Sequence, residues 1–269
     1  MDYAAGDAVV TAEILAPTLL EPARRLFPAY EVARPGLQRS ERVDVSVRWE
    51  SGVFLVASLD SPDVLCKTEM DAIVVLEFAL SRSLAASFVD YVHLHASGAV
   101  VDGQAILALG SSGAGKSSLA VAMQTRGFPT LGDDTVFLSS AARAIPFKRL
   151  LKVSGVVLSE LGVDPTDTIL WDPAWPEVWY DPQEGPGWAT ETPVGVIVLA
   201  RYDPNARFRL SPIPKTEALN VVVHSVMTTG MPAGEDFDRL VQMVRGASVF
   251  QVEFRSAIEA AEVICTLTR

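Results

Sequence analysis

A glycine-rich stretch near the middle of the chain has the residue types and spacing of a phosphate-binding loop. In ALGSSGAGKSSLA (108–120), Gly110 is followed by Gly115, Lys116 and Ser117 in the pattern G-x-x-x-x-G-K-[ST]. In such loops backbone N–H groups surround an anion, the lysine reaches the β- and γ-phosphates, and the serine hydroxyl ligates Mg²⁺. An apolar strand pattern before the stretch and a helical pattern after it favour a nucleotide site over a chance glycine-rich turn. The residues predicted to bind the nucleotide are Gly110, Ser111, Ser112, Gly113, Ala114, Gly115, Lys116, Ser117 and Ser118.

Two adjacent aspartates offer the second anchor that a metal ion needs. Asp133 and Asp134 lie in TLGDDTVFL (130–138), just ahead of an apolar run. Neighbouring side chains alternate in direction along an extended backbone, so one carboxylate can face a metal while the other faces an acceptor or a cation. A Gly-Asp-Asp turn is the other interpretation. The short separation from the glycine-rich stretch favours the functional one.

Basic side chains later in the chain could balance the charge of a phosphoryl group. The segment AIPFKRLLK (144–152) contains three basic residues. They either balance the charge of a phosphoryl group or form a solvated basic turn, and both interpretations stay open. Arg201, at the end of VGVIVLARY (194–202), is the better single candidate, because ligands gather at the carboxyl ends of strands in open α/β sheets. We therefore add Arg201 to Lys116 among the predicted catalytic residues.

The hydrophobic pattern places these residues in a mixed α/β fold. Strands are expected at 43–49, 52–58, 91–96, 99–102, 105–110, 135–140, 194–202 and 248–254, and helices at 69–88, 116–126 and 216–227, around 237–244, and after Ser256. The run 194–202 is almost continuously apolar, which is typical of a strand buried on both faces. Residues 1–40 contain several prolines and give no clear element.

Composition excludes some classes of protein. The 22 basic and 33 acidic residues give a net charge of −11, which argues against nucleic-acid binding. Neither a secretory signal nor a clean membrane span is recognisable, so we expect no membrane partner and a cytoplasmic location. Cys66 and Cys265 both have apolar neighbours and are expected to be reduced core residues.

The segment WDPAWPEVWYDPQEGPGW (171–188) contains four of the five tryptophans. Its prolines predict a long irregular loop, which is either a recognition surface with exposed aromatic side chains or a loop held on the core by its tryptophans. We slightly favour recognition.

The stretch 93–138, HLHASGAVVDGQAILALGSSGAGKSSLAVAMQTRGFPTLGDDTVFL, resembles the catalytic core of the HPr kinase/phosphorylase family and of its shorter relatives, the HPr-kinase-like serine kinases. In that family a histidine stands fifteen residues before the first loop glycine, as His95 stands before Gly110. The loop helix ends at an Arg-Gly pair, here Arg126 and Gly127, and an aspartate pair follows.

The resemblance implies a P-loop kinase core of the HPr kinase / PEP carboxykinase type with a mixed sheet over residues 91–269, after a small N-terminal α/β appendage (hairpin plus helix) over 1–90. It also implies phosphoryl transfer from ATP, assisted by Mg²⁺, to a serine hydroxyl of a protein or peptide. Some of the shorter relatives modify ribosomal peptide precursors, including lasso-peptide precursors. Full-length HPr kinases assemble, so the resemblance leaves a homo-oligomer open.

Roles for individual residues follow from the same resemblance. Asp133 would be the base or orienting group for the incoming hydroxyl, Asp134 would hold Mg²⁺ together with Ser117, and His95 would tune the charge on Asp133. His93 lies on the same strand face and competes with His95, and a lone histidine on an apolar strand is more often structural.

Two departures from the family bear on the activity. Ser118 stands where full-length HPr kinases have a glutamate, and LLKVSGVVLSELG (150–162) does not match the glycine-rich segment associated with the phosphorylase reaction. Both argue against the reverse reaction and against HPr as the acceptor. Two alternatives stay open, a kinase of a small-molecule hydroxyl and a regulator that binds ATP without turnover.

Overall fold

The computed structural model describes residues 1–5, 8–30, 43–59, 61–164, 175–182, 185–227 and 233–268. They form two compact units, one of Met1–Val89 and Ile169–Pro176, the other of Asp90–Thr168 and Glu177–Arg269. Each unit combines strands with helices, so the predicted mixed α/β class is confirmed.

The first unit is a five-stranded sheet with two helices among its described residues. Its elements are β1 (Asp2–Ala5), β2 (Ala8–Ile14), a 3-10 turn (Pro17–Leu19), α1 (Leu20–Leu26), β3 (Val45–Glu50), β4 (Val53–Ser58), β5 (Ser61–Cys66) and α2 (Glu69–Ala85). The strand order is β1-β2-β3-β4-β5, with β2 and β3 parallel and the other pairs antiparallel. The prediction found the β3–β4 hairpin and α2 but none of the elements before them.

Local sequence explains the two elements that were predicted. Ser51 and Gly52 both have positive φ, which closes the hairpin with a tight turn of the right twist. Helix α2 begins at a capping box between Thr68 and Asp71. Its predicted apolar side chains, Ile73, Leu76, Leu80 and Leu84, are all buried.

The second unit contains the remaining described elements. They are β6 (Val92–Leu94), β7 (Ser97–Val101), β8 (Gln104–Leu109), α3 (Lys116–Gln124), β9 (Thr130–Gly132), β10 (Val136–Leu138), β11 (Arg143–Pro146), β12 (Leu151–Ser154), α4 (Gly155–Glu160), β13 (Glu177–Tyr180), β14 (Thr192–Tyr202), β15 (Arg209–Pro212), α5 (Lys215–His224), α6 (Glu235–Gly246), β16 (Ser248–Phe254) and α7 (Ala257–Ile264). Each element predicted in this region is present, with ends shifted by a few residues. Within the described residues, no helix combines the length and the apolar character needed to span a membrane.

Strand β14 is the centre of the main sheet. It pairs in parallel with β8 on one side and with β16 on the other. Alternate side chains enter two cores: Ile197 lies with residues of α5 and α6, whereas Val196 and Val198 lie with residues of α3 and α7. The apolar run is therefore a strand buried on both faces, as predicted. Because β8, β14 and β16 are parallel, their carboxyl ends meet at one edge of the sheet.

Part of the tryptophan-rich segment forms a strand, which corrects the expectation of a long irregular loop. Strand β13 pairs with β12 in a separate two-stranded sheet, and Trp179 is buried. The Tyr180 hydroxyl donates to Gln124 Oε1 at 2.9 Å, which attaches this hairpin to α3. The predicted exposed aromatic surface is not seen at Trp179, and Trp171 lies outside the described residues.

Both cysteines are buried free thiols, as expected. Burial raises the pKa of the Cys265 thiol to about 11 and also raises the pKa of Cys66. Neither thiol is therefore a reactive thiolate at neutral pH.

Two valine-to-alanine changes test the burial of the β14 face that packs against α3 and α7. Val198→Ala removes methyl groups packed in the α3–α7 core, and we expect it to lower the free energy of unfolding by about 2 kcal/mol. The matched change Val156→Ala, at a side chain that is 68% exposed, should alter it by less than about 0.5 kcal/mol. Urea denaturation measures both, and equal effects would contradict the assigned position of β14.

Candidate active site

The glycine-rich stretch leaves β8 at the carboxyl edge of the sheet and runs into α3. A Cβ added to Gly110 would lie 2.8 Å from the Ala200 carbonyl oxygen, and one added to Gly115 would lie 2.7 Å from the Phe254 ring. Both residues also have φ in the left-handed range, at +150° and +87°. The Tyr202 N–H donates to the Ala114 carbonyl at 3.1 Å and fixes the stretch to the end of β14. Close backbone approach therefore requires glycine at both positions.

Lys116, the first residue of α3, is only 5% exposed. Its Nζ donates to the carbonyl oxygens of Gly110 at 3.0 Å and Ser111 at 3.1 Å. Burial lowers the pKa of Lys116, and the nearby Asp134 carboxylate opposes that shift. The ammonium is thus held across the loop beside the first-turn N–H groups of α3, which have no acceptor within the helix.

The two aspartates differ in environment. Asp133 is fully buried, and its Oδ2 accepts the Lys152 N–H at 2.9 Å. Asp134 has φ +58° and a side chain that is 38% exposed. The backbone is therefore not extended here, and the expected alternation of the two carboxylates does not apply. Arg149 instead contacts Asp133 Oδ1 at 3.4 Å and Asp134 Oδ2 at 3.3 Å from the same nitrogen.

Arg149 belongs to the basic segment 144–152, and its position shows whether that part of the segment is a solvated turn. Its side chain is 7% exposed and also donates to the Asp133 carbonyl oxygen at 3.4 Å. It is therefore a buried part of the aspartate cluster and not a residue of a solvated turn. The desolvated guanidinium stabilises the negative charge of both neighbouring carboxylates.

His95 approaches the same cluster from β6. Its Nδ1 lies 3.1 Å from the Asp134 carbonyl oxygen, and its backbone N–H donates to the Ser225 carbonyl at 2.7 Å. Because a carbonyl only accepts, Nδ1 carries the proton and Nε2 of the neutral ring is the acceptor. Burial, followed by the Lys116 charge, lowers the pKa of His95. Both effects favour the neutral ring.

A cleft of about 650 Å³ brings most of the predicted site residues together. Those that line it are His95, Ser112, Gly113, Ala114, Gly115, Lys116, Ser117, Ser118 and Asp134. Gly110, Ser111 and Asp133 do not line the cleft. The carbonyl oxygens of Gly110 and Ser111 accept from Lys116, and Asp133 contacts Arg149 and the Lys152 N–H of β12. Arg201 does not line the cleft. Its side chain is 64% exposed and lies 3.7 Å from Glu253 on β16.

Two further groups of side chains line the cleft, and of these only Lys152, in the basic segment 144–152, was considered in the sequence analysis. One belongs to β12, α4 and β13 and comprises Lys152, Val153, Ser154, Val156, Val157, Glu160 and Glu177; we call it the hairpin wall. The other belongs to the ends of β14 and β16 and the start of α7 and comprises Tyr202, Phe254, Arg255 and Ala257; we call it the aromatic wall. The rule on strand ends that singled out Arg201 applies equally to Tyr202 and Phe254. Apart from the basic segment that ends at Lys152, nothing in the sequence signals the hairpin wall as part of the site.

The donors in the cleft fit a magnesium ion. Ser117 and Asp134 supply hard oxygen atoms of the kind that Mg²⁺ prefers. The described residues contain no group of three or more His, Cys, Asp or Glu side chains that could form a cage. Mg²⁺ is normally bound by one or two protein oxygens together with water and phosphate, so two donors are sufficient.

Gly115 and Gly113 form a matched pair for testing the close approach of the loop. Both have positive φ, but a Cβ on Gly113 would meet nothing within 4 Å. We expect Gly113→Ala to lower the free energy of unfolding by about 1 kcal/mol through backbone strain alone. Gly115→Ala should lower it further because of the clash with Phe254. Denaturant unfolding measures the difference, and its absence would refute the packing described for Gly115.

The aspartates provide a second matched pair. Asp133→Ala leaves Arg149 with less compensation in a buried position, and we expect a loss of about 3 kcal/mol of unfolding free energy. Asp134→Ala removes a partly exposed carboxylate and should lower stability by about 1 kcal/mol. Thermal or urea unfolding tests the order of the two effects. A larger loss for Asp134→Ala would mean that the buried partner is wrongly assigned.

Comparison with known proteins adds little to this geometry. No protein-family model matches the chain, and no curated protein matches it. Among solved structures, the chain is similar to the Hpr(Ser) kinase/phosphatase from Coxiella burnetii, with 15% identity, coverage of 66% of this chain and 93% of that one, and a TM-score of 0.32. A likeness of this strength supports no inference about function.

Proposed function

We propose that the chain is an ATP-dependent kinase that transfers the γ-phosphate, with Mg²⁺ bound, to a serine hydroxyl of a protein or peptide. The observation that carries the proposal is the meeting, in one cleft, of the glycine-rich stretch, Lys116, Ser117 and Asp134. An anion-binding loop, a buried ammonium and two hard oxygen donors are the parts that phosphoryl transfer requires.

The loop and Lys116 would bind the phosphates. The first-turn N–H groups of α3 and the positive end of its dipole favour an anion at this position. The Lys116 ammonium, which now donates to two carbonyl oxygens, would donate to phosphate oxygens instead. Phosphate charge would also favour the protonated amine against the effect of burial.

Ser117 and Asp134 would hold the metal ion. When bound, Mg²⁺ neutralises charge on the β- and γ-phosphates during transfer. Arg149 orients Asp134 through its 3.3 Å contact with Oδ2. This role for Arg149 is one of positioning, because the residue reaches the site through the carboxylate.

Two residues compete to accept the proton of the incoming hydroxyl. Family resemblance assigns this role to Asp133, yet Asp133 is buried, does not line the cleft, and contacts Arg149 and the Lys152 N–H. His95 lines the cleft, and its Nδ1–H bond to the Asp134 carbonyl leaves Nε2 as an acceptor. We favour His95 Nε2 as the acceptor and Asp133 as a positioning residue.

The form of the cleft favours a peptide over a small molecule. A small-molecule site would be favoured by a cleft closed by the tryptophan segment 171–188. Of that segment only Glu177 is among the described residues that line the cleft, and none of Trp175, Trp179 and Trp188 lines it. Val156 on the hairpin wall is instead 68% exposed, which suits contact with an apolar side chain of a larger acceptor.

Transfer of labelled γ-phosphate from ATP to an array of serine-containing peptides tests the proposal, with phosphoserine identified by mass spectrometry. We expect Lys116→Ala and Asp134→Asn each to lower the rate by about 100-fold or more, because the first removes a cation at the reacting phosphate and the second weakens the binding of Mg²⁺ there. Arg209→Ala, at an exposed residue of β15, should transfer at the wild-type rate.

The same assay separates the two proton acceptors. His95→Asn should lower the rate more than Asp133→Asn when both are compared at equal folded fraction. The reverse order would return the role of base to Asp133. Transfer to no serine peptide would refute the proposed activity, and undiminished transfer by Lys116→Ala would refute the assigned site.

A further inference from the structure

The aromatic wall has chemistry that phosphate binding does not use. Tyr202 lies at the carboxyl end of β14, directly beside the glycine-rich stretch, and its Cβ would be 3.3 Å from a Cβ added to Gly115. It is 48% exposed although it lines the cleft. A large, half-accessible aromatic side chain next to a phosphate loop calls for an explanation that packing does not supply.

The position of Tyr202 is fixed before any ligand arrives. Its N–H donates to the Ala114 carbonyl, and the following N–H, of Asp203, donates to the Phe254 carbonyl at 2.9 Å. The Tyr202 ring meets the buried Phe254 ring edge to face, with centroids 6.1 Å apart. The sheet and the loop hold the backbone of Tyr202, and a second aromatic ring supports its side chain, which together favour a preorganised surface for a flat ligand.

Charge distinguishes the aromatic wall from the hairpin wall. Arg255, exposed and directly after Phe254, gives the aromatic wall a cation. The cleft-lining residues of the hairpin wall include no aromatic ring, and their charged side chains are Glu160, Glu177 and Lys152, whose Nζ lies 4.0 Å from a Glu177 oxygen. The two carboxylates outnumber this one ammonium. A polyanionic nucleotide is repelled by carboxylates, whereas a nucleobase stacks on aromatic rings and on guanidinium planes.

The hairpin wall is in turn joined to the aspartates, where the acceptor hydroxyl must arrive. The Lys152 N–H of β12 donates to Asp133, whose neighbour Asp134 lines the cleft. The aromatic wall contacts the loop at Gly115, the residue before α3 begins. The hairpin wall therefore adjoins the position expected for the acceptor, and the aromatic wall adjoins the position expected for the nucleotide.

We propose that Tyr202, supported by Phe254 and flanked by Arg255, is the stacking platform for the nucleobase of the bound nucleotide, which leaves the hairpin wall to the acceptor. This inference rests on the proposed function and deepens it. Stacking accepts any base, so the platform provides affinity without choosing between purines.

Calorimetric titration with two probes, ATP and inorganic tripolyphosphate, each with Mg²⁺, tests the platform. Tripolyphosphate uses the loop but has no base. We expect Tyr202→Ala to weaken ATP binding by about tenfold or more and to leave tripolyphosphate binding unchanged. Tyr202→Phe keeps the ring and should bind both probes as the wild type does. Phe237→Ala, at a partly exposed aromatic on α6, is the control for loss of a ring elsewhere.

The possible outcomes distinguish failure of the stacking platform from failure of the proposed function. Unchanged ATP binding by Tyr202→Ala overturns the platform. Equal weakening of both probes also overturns it, because the substitution would then act through the loop. Failure of the wild-type chain to bind either probe overturns the proposed function itself.

Discussion

The arrangement of the cleft depends on one buried cation, the guanidinium of Arg149. From a side chain that is 7% exposed, it contacts a carboxylate oxygen of both Asp133 and Asp134 and the carbonyl oxygen of Asp133. Asp133 in turn accepts the Lys152 N–H, so the same cluster determines where β12 runs. Without the guanidinium, the buried carboxylate of Asp133 would lie near the partly exposed carboxylate of Asp134 with no arginine between them, and neighbouring like charges disfavour the ionised form of both.

Two independent constraints meet around this cluster. The parallel pairing of β8, β14 and β16 brings the glycine-rich stretch, Tyr202 and Arg255 to one edge of the sheet. The Arg149 cluster and the Gln124–Tyr180 hydrogen bond attach β12 and β13 beside α3. The cleft thus has one wall built by sheet geometry and another held by polar contacts. In our proposal the first wall receives the nucleotide and the second the acceptor.

Much of this fold could be predicted from local patterns. The apolar run of β14, the periodicity of α2 and the hairpin of β3 and β4 depend on neighbouring residues, and all three predictions are confirmed. The hairpin turn lies at Ser51 and Gly52, one residue later than predicted. Elements that depend on tertiary contacts were not predicted. Strand β13 forms in a segment whose prolines suggested a loop, because β12 supplies its hydrogen-bonding partner. In the site, the residue types were recognisable, but the positive φ of Asp134 and the burial of Asp133 depend on contacts distant in sequence.

The central claim is that this cleft holds a nucleoside triphosphate with its terminal phosphate at Lys116 and Asp134. The most direct test is a crystal structure of the chain with Mg²⁺ and a non-hydrolysable ATP analogue. The account predicts the γ-phosphate within hydrogen-bonding distance of Lys116 Nζ and the metal ion bound by the Ser117 hydroxyl and an Asp134 oxygen. An analogue bound outside the glycine-rich stretch, or a triphosphate whose terminal group contacts neither residue, would contradict it.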